Sequence, residues 1–401
     1  MRIALWNGSG LDNLGDQLID HVNRIELGRR LGDSSFQTFA PWPCDGVPLA
    51  RIDSNGRWNG EGEFDAIVIG GGALLLGPPF VHPSLQTCYL GPYPERFRDR
   101  CPAIWNAVCF NAQFLPALQE PWRSYVRTAC QRLAYCSVRN AGSAELLAEC
   151  EVSEPVIVVP DPVIALRPPQ PRRKHNCGRR RVGLAVGAVV QAESFLARLG
   201  VADEGWDWNP QVQESMPRAI VAQNAARELA QQQALFARIA EAVAPLRTTT
   251  NLEVCGFGGV YGDRQAASKL AALLDCPLVS FHDSLGAGTI DWILSLDCLI
   301  ASRLHACILA LVVGTPLVAI DPYLNPITGT SKVREFMADG DLLAGYVPLH
   351  AFLDGDGSLG EFIEQAVRCQ QQLPLVHSEL SRKVHDHFDR LSEIIRNPRH
   401  L

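Results

Sequence analysis

Ser302-Arg303-Leu304-His305 sets a permanent cation two residues from a titratable imidazole, where an apolar run gives way to a helical one. Ahead of it Cys298-Leu299-Ile300-Ala301 reads as a short buried strand, and Ala306 to Val313 as a buried helix packed behind. Such a strand-to-helix turn presents free backbone N–H groups and the positive end of the helix dipole. A guanidinium beside them can hold phosphate or carboxylate with two parallel hydrogen bonds. The alternative is a surface Arg capping an acidic neighbour and a core His held by a hydrogen bond.

Other residues of the same chemistry stand at comparable places. Ser137-Val138-Arg139-Asn140, with Ser143 three residues on, again puts an Arg at a strand end, where a plain helix cap is the competing explanation. Ile320-Asp321-Pro322-Tyr323 leads through a polar loop to Ser331-Lys332-Val333-Arg334, adding two cations on the side of Arg303. Near the amino end, Gly8-Ser9-Gly10-Leu11-Asp12-Asn13-Leu14-Gly15-Asp16 resembles a phosphate-cradling loop but lacks the dinucleotide glycine spacing and a P-loop lysine. Asn13 or Asp16 either caps the following helix or faces a ligand, and Asp16 suits hydroxyl groups better than an anion. Gly70-Gly71-Gly72 permits close backbone approach or a sharp turn. Pro160-Asp161-Pro162 is a rigid turn whose Asp161 either accepts local donors or faces a cleft.

These groups need elements to hold them. The first half alternates β-rich runs (Arg2 to Trp6, Ala66 to Ile69, Ala103 to Phe110, Leu133 to Val138, Val156 to Val159) with helical stretches such as Asp16 to Leu31. The second half restarts with Val182 to Val186, Leu252 to Cys255, Leu278 to Phe281, Cys298 to Ala301 and Leu317 to Ile320, between helices at Ala225 to Ala244 and Arg264 to Leu274. This alternation predicts α/β architecture: two Rossmann-like, doubly wound parallel sheets facing a cleft. The expected divisions are residues 1–166, a basic Pro-rich linker at 167–181, a second domain at 182–358, and closing helices at 359–401 packing back toward the first domain. Residues 190–223, with Trp206, Trp208 and Pro210, read as an irregular excursion or a lid. Ligands collect at strand carboxyl ends in such sheets, so Arg139, Arg303, His305 and either Lys332 or Arg334 should converge on a small polyanion.

Composition narrows the class. With 401 residues, 47% hydrophobic and a formal net charge of -7, the chain has ample core material and no general nucleic-acid-binding charge. Its 13 cysteines are scattered with no Cys-x-x-Cys pair, which points away from a zinc cluster or a disulfide framework and toward a reducing compartment. The apolar start, Met1-Arg2-Ile3-Ala4-Leu5-Trp6, is too short for a signal peptide and no segment is apolar enough to span a bilayer, so a cytoplasmic location is expected. The basic linker could touch an anionic lipid surface.

Taken together, Asn13-Leu14-Gly15-Asp16, Gly70-Gly71-Gly72, Val138-Arg139-Asn140 with Ser143, Pro160-Asp161-Pro162 and Arg303-Leu304-His305 leading to Gly314-Thr315-Pro316 resemble the polysaccharide pyruvyl transferase family, over roughly residues 3 to 340. The resemblance implies a glycosyltransferase-B-like fold and phosphoenolpyruvate as donor, a co-substrate with no further cofactor or metal. It also implies a saccharide acceptor, lipid-linked or nucleotide-linked, in surface polysaccharide synthesis. On that basis the expected catalytic groups are His305, Arg303 and Asp16. Arg139, Lys332, Arg334, Ser302, Asn13, Gly15, Gly71 and Gly72 are the expected substrate-binding positions. Asn140 stands where the family usually has Asp, and an extra loop separates Asp321-Pro322 from Lys332. A nucleotide-sugar glycosyltransferase and a non-catalytic anion-binding protein are the competing functions.

Overall fold

The computed structural model describes residues 1–7, 13–39, 63–75, 101–110, 122–167, 178–187, 218–258, 263–280, 287–324 and 329–397. Most of the basic run in 167–181, and residues 190–217 of the excursion, including Trp206, Trp208 and Pro210, lie outside the described residues.

The strands are β1 Arg2–Trp6, β2 Ser35–Phe39, β3 Ala66–Leu75, β4 Ala103–Phe110, β5 Tyr135–Val138, β6 Val156–Val158, β7 Arg180–Ala185, β8 Thr250–Cys255, β9 Leu278–Val279, β10 Cys298–Ala301, β11 Leu317–Asp321 and β12 Tyr346–Pro348. The helices are α1 Leu14–Leu31, α2 Trp122–Arg132, α3 Ala141–Glu149, α4 Arg218–Val243, α5 Asp263–Leu274, α6 Ala287–Leu294, α7 Leu304–Val313, α8 Lys332–Asp339, α9 Leu349–Asp354, α10 Leu359–Arg368 and α11 Leu373–Arg396.

They build two parallel six-stranded sheets, ordered β2-β1-β3-β4-β5-β6 and β12-β11-β10-β7-β8-β9. Strands β10 and β11 are buried along their whole length, as parallel strands covered on both faces must be. Helix α7, apolar all round, is buried behind them. Strand order reverses between β1 and β3 in one sheet and between β7 and β10 in the other, and each reversal opens a crevice at the carboxyl ends.

The sequence expectation needs five adjustments. Edge strands β2 and β12 join the sheets where the sequence pattern gives none, and β9 stops at Val279, short of Ser280, while the expected limit at Phe281 lies outside the described residues. The triple glycine does not end β3: the strand continues through it to Leu75, with positive φ at Gly70, Gly71 and Gly72 and a register shift against β4. Arg180 and Arg181 belong to β7, not to a linker. Arg181 pairs with Glu253 of β8 at 2.8 Å. Helix α4 begins at Arg218, inside the segment that reads as irregular.

One apolar cluster runs from Ile3 and Ile104 of the first sheet and Leu18 of α1, through Leu304 and Cys307, to Leu380, Val384 and Phe388 of α11, so the last helix is packed against both halves. Its polar contacts fix the same docking. His377 Nε2 meets the Ile164 carbonyl at 3.0 Å, and Arg30 Nη2 donates to the His385 carbonyl at 3.1 Å. His387 Nε2 meets Asn106 Oδ1 at 2.8 Å, and burial pushes the His387 pKa down to about 3, which keeps its ring neutral. Phe388 is wholly buried at this junction. Phe388→Ala should therefore destabilise the chain by about 3–5 kcal/mol, read as a lower denaturant midpoint with an unchanged slope.

Candidate functional site

The first sheet contributes three turns. After β1, Asn13 caps α1, its Oδ1 accepting from the Gly15 N–H at 3.1 Å, while Asn13 Nδ2 donates to Asp16 Oδ2 at 2.7 Å. Asp16 thus sits in the first helical turn without serving as the cap, and it is nearly buried. Burial pushes its carboxyl above the ordinary range, against the pull of His305, Arg139 and Lys332 nearby. Gly72 supports it closely: a Cβ there would lie 3.0 Å from Asp16 Oδ1, and one on Gly71 would lie 2.1 Å from Ile19 Cγ2. Both glycines are therefore required by packing as well as by φ.

After β5 and β6 come Arg139 and Asp161. Arg139 Nη1 donates to Asp161 Oδ2 at 2.7 Å, with both side chains buried. Asp161 Oδ1 accepts from the Val163 N–H at 3.0 Å, so this carboxylate caps its turn and also faces the other domain. Burial alone would raise its pKa, but His305 and Arg139 outweigh it and hold the carboxyl well below the usual range. Burial likewise opposes the charge on Arg139, but Cys109 and Asp161 outweigh it and keep the guanidinium firmly protonated.

The second sheet faces these groups. His305 lies in the first turn of α7, its Nε2 3.5 Å from Asp161 Oδ2, close enough for attraction but without a hydrogen bond. Its Nδ1 edge rests against α1, where a Cβ on Gly15 would stand only 1.8 Å away. Arg303 is held by a bidentate pair with Asp263 at the start of α5, its Nε 2.8 Å from Oδ2 and its Nη2 on Oδ1. Tyr323 lies beneath two cations, 5.4 Å from the Arg303 guanidinium and 5.9 Å from Lys332 Nζ. Burial, helped by Arg139, pushes the Lys332 ammonium down to about 8. Ser302 is fully buried, its Oγ accepting from the Gly187 N–H at 2.8 Å, which fixes the ends of β7 and β10 together. Arg334 is exposed, two residues past Lys332 and on a different side of α8.

Asp16, Arg139, Asp161, His305 and Lys332 therefore converge from two sheets, with Arg303 held beside Tyr323 and Lys332. A cavity between the domains is lined by Arg139, Asp161 and Lys332, and also by Leu304, Ile308 and Phe336. Two nitrogens beside Asp161, Arg139 Nε and His305 Nε2, are buried without a hydrogen-bond partner among the described residues. Buried donors in that state await an acceptor. Sequence reading missed Asp263, Tyr323 and Glu335. Only Asp263 had a local signal, an acid opening a helix directly after a strand-and-glycine run.

Two doubly wound sheets with their crevices in apposition define a glycosyltransferase-B-like fold. HepE from Anabaena, in a complex with UDP-glucose, shares it at 12% identity, with 99% of this chain and 98% of that chain covered and a TM-score of 0.50. UDP-GlcNAc 2-epimerase from Neisseria meningitidis, bound to UDP-GlcNAc, aligns over 99% of both chains at 10% identity and a TM-score of 0.46. No curated protein matches the sequence. The polysaccharide pyruvyl transferase family model matches residues 10–239, more than half of the chain, and the chain belongs to that family. Among the described residues, no helix is long and apolar enough to cross a membrane.

Proposed function

We propose that this chain transfers the pyruvyl group of phosphoenolpyruvate to two hydroxyls of a saccharide, forming a pyruvate ketal and releasing phosphate. The observation that carries the proposal is that Arg139 and His305 approach the same Asp161 carboxylate from opposite domains, while Arg139 Nε and His305 Nε2 are buried without a hydrogen-bond partner among the described residues. A three-carbon donor with a phosphate and a carboxylate side by side supplies acceptors for both. Guanidinium and ammonium groups from two domains can neutralise it.

In the proposed reaction, His305 Nε2–H protonates the enol methylene and C2 gains positive character. A saccharide hydroxyl attacks C2 and gives its proton to Asp16, whose raised pKa makes it a stronger base than an ordinary carboxylate. The C2–O bond to phosphate breaks with its electron pair on oxygen, the leaving phosphate takes the proton held by Asp16, and Arg139 and Lys332 stabilise the remaining charge while Arg303 holds the carboxylate. The second hydroxyl then closes the ring, and its proton restores His305. Phosphoenolpyruvate is a co-substrate here, and no cofactor is assigned. The first domain would carry the acceptor, a lipid-linked or nucleotide-linked precursor, and the second the donor.

Incubating the protein with phosphoenolpyruvate and a panel of saccharides, with phosphate release and product mass followed together, tests the proposal. Release coupled to a ketal product is expected; a glycoside formed from UDP-glucose would replace the proposal with sugar transfer. The pH dependence offers a second check. Lys332 loses its charge as pH rises through about 8, so the KM for phosphoenolpyruvate should climb above that pH. Lys332→Ala should flatten the climb, and an unaltered climb would assign it to another group.

A further inference from the structure

We propose that Glu335 is a positioning residue, whose carboxylate docks on Asn140 and the amino end of α3 across the domain boundary and so fixes where Lys332 stands in the cleft. The inference rests on the reading above that Lys332 meets the donor.

Lys332 and Glu335 are three residues apart on α8, hence neighbours one turn apart on one helix surface. Helix α8 belongs to the second domain, whereas the partners of Glu335 belong to the first. Asn140 Nδ2 donates to Glu335 Oε2, and the Gly142 N–H donates to Oε1 at 3.2 Å. A Cβ on Gly142 would lie 2.5 Å from Oε1, so the carboxylate reaches this backbone only because residue 142 has no side chain. Negative charge at the start of α3 is also the favourable sign for the helix dipole.

The orientation of Asn140 makes the contact specific. Its Oδ1 accepts from the Ser143 N–H at 3.3 Å, capping α3, which turns Nδ2 outward to Glu335. An Asp at this position could still cap α3 but would have no proton for Glu335, and two carboxylates would face each other. The opposite end of the arrangement is equally fixed. Ser331 caps α8, accepting from the Arg334 N–H at 2.9 Å, and donates its own hydroxyl proton to buried Asp321. Asp321 also accepts from Tyr346 Oη at 2.9 Å, which roots it in the second sheet. Lys332 therefore sits between an anchor in its own domain and, one turn later, an anchor in the other.

The test is a donor–acceptor reversal. Asn140→Asp should weaken phosphoenolpyruvate binding and kcat/KM on the order of 100-fold, through KM for the donor and not for the saccharide, because misplacing a clamp by about 1 Å costs that much. Glu335→Gln alone should cost about tenfold. The double variant N140D/E335Q restores complementarity, because the introduced amide donates to the introduced carboxylate, and it should recover most of the loss. A folded Asn140→Asp protein that binds phosphoenolpyruvate like wild type, or a double variant no better than Asn140→Asp, would overturn the proposal. Amide exchange over 141–149 and 332–339 decides the contact independently of ligand: it should quicken at Gly142 in Glu335→Ala, and unchanged exchange would contradict the latch. If wild type itself bound no phosphoenolpyruvate while that exchange still quickened, the latch would stand and the donor assignment would fail.

Discussion

Gly15→Ala is expected to lower kcat/KM by at least about 100-fold while leaving the fold intact. Gly15 occupies the first turn of α1, and its missing side chain is where the His305 ring lies. A Cβ would stand 1.8 Å from Nδ1 and 2.4 Å from both Cγ and Cε1, far inside van der Waals contact. Either the ring turns out of the cleft or α7 retreats, and either movement carries Nε2 away from Asp161 and from the proposed donor. Displacement of about 1 Å in a reacting group is enough for a loss of this size. The backbone does not resist the change, since Ala is favoured over Gly in a helix by about 1 kcal/mol. Thermal unfolding should therefore separate a misplaced imidazole from an unfolded chain. Double-mutant analysis sharpens the test: in a His305→Ala background the clash is gone, so Gly15→Ala should add little. Full additivity of the two losses would mean that Gly15 acts by some route other than the ring.

Arg139→Ala carries the second large effect, and it falls on stability as well as turnover. Both members of the Arg139–Asp161 pair are buried, and removing one partner strands the other charge. Such truncations typically cost about 3–5 kcal/mol. Loss of the proposed electrostatic clamp on the donor phosphate should in addition lower kcat by about 100- to 1,000-fold. The pH signature has a definite sign. The Asp161 pKa is depressed in the fold, so the stabilisation it brings is present above the ordinary carboxylate range and is lost as pH falls below that range toward the folded value. Wild type should lose stability over that acid window, and Arg139→Ala should show a shallower loss because less depression remains. Arg139→Lys should recover part of the stability but not donor affinity, since an ammonium cannot serve both Asp161 and a planar anion. Equal acid sensitivity in wild type and Arg139→Ala would separate Asp161 from the ion pair.

Much of the scaffold is legible because buried parallel strands are written as unbroken apolar runs. Cys298–Ala301 and Leu317–Asp321 are examples, each lying within a residue of its expected limits. The edge strands are not. Ser35–Phe39 is half polar and partly exposed, and Tyr346–Pro348 is three residues long, so neither has a pattern distinct from a loop. The sequence pattern ends a strand at the triple glycine because glycine is a poor strand former, yet here a bulge and the close approach of Ile19 require it within β3.

In the site, the cations are visible because strand carboxyl ends are where such folds bind ligands. What they are paired with is not visible. Arg303 meets an acid 40 positions away and Asn140 an acid 195 positions away, separations that leave no local trace. The choice between Lys332 and Arg334 illustrates the same limit. Both follow the same loop, and only the phase of α8 turns one into the cleft and the other to solvent.

Titration of the purified protein with phosphoenolpyruvate, in parallel with UDP-glucose, tests the central claim most directly. One molar equivalent of phosphoenolpyruvate should bind wild type, with affinity strongly reduced in Arg139→Lys and His305→Ala, and UDP-glucose should not compete. A folded wild-type protein that ignores phosphoenolpyruvate, or whose affinity for it is untouched by those substitutions, would contradict the claim.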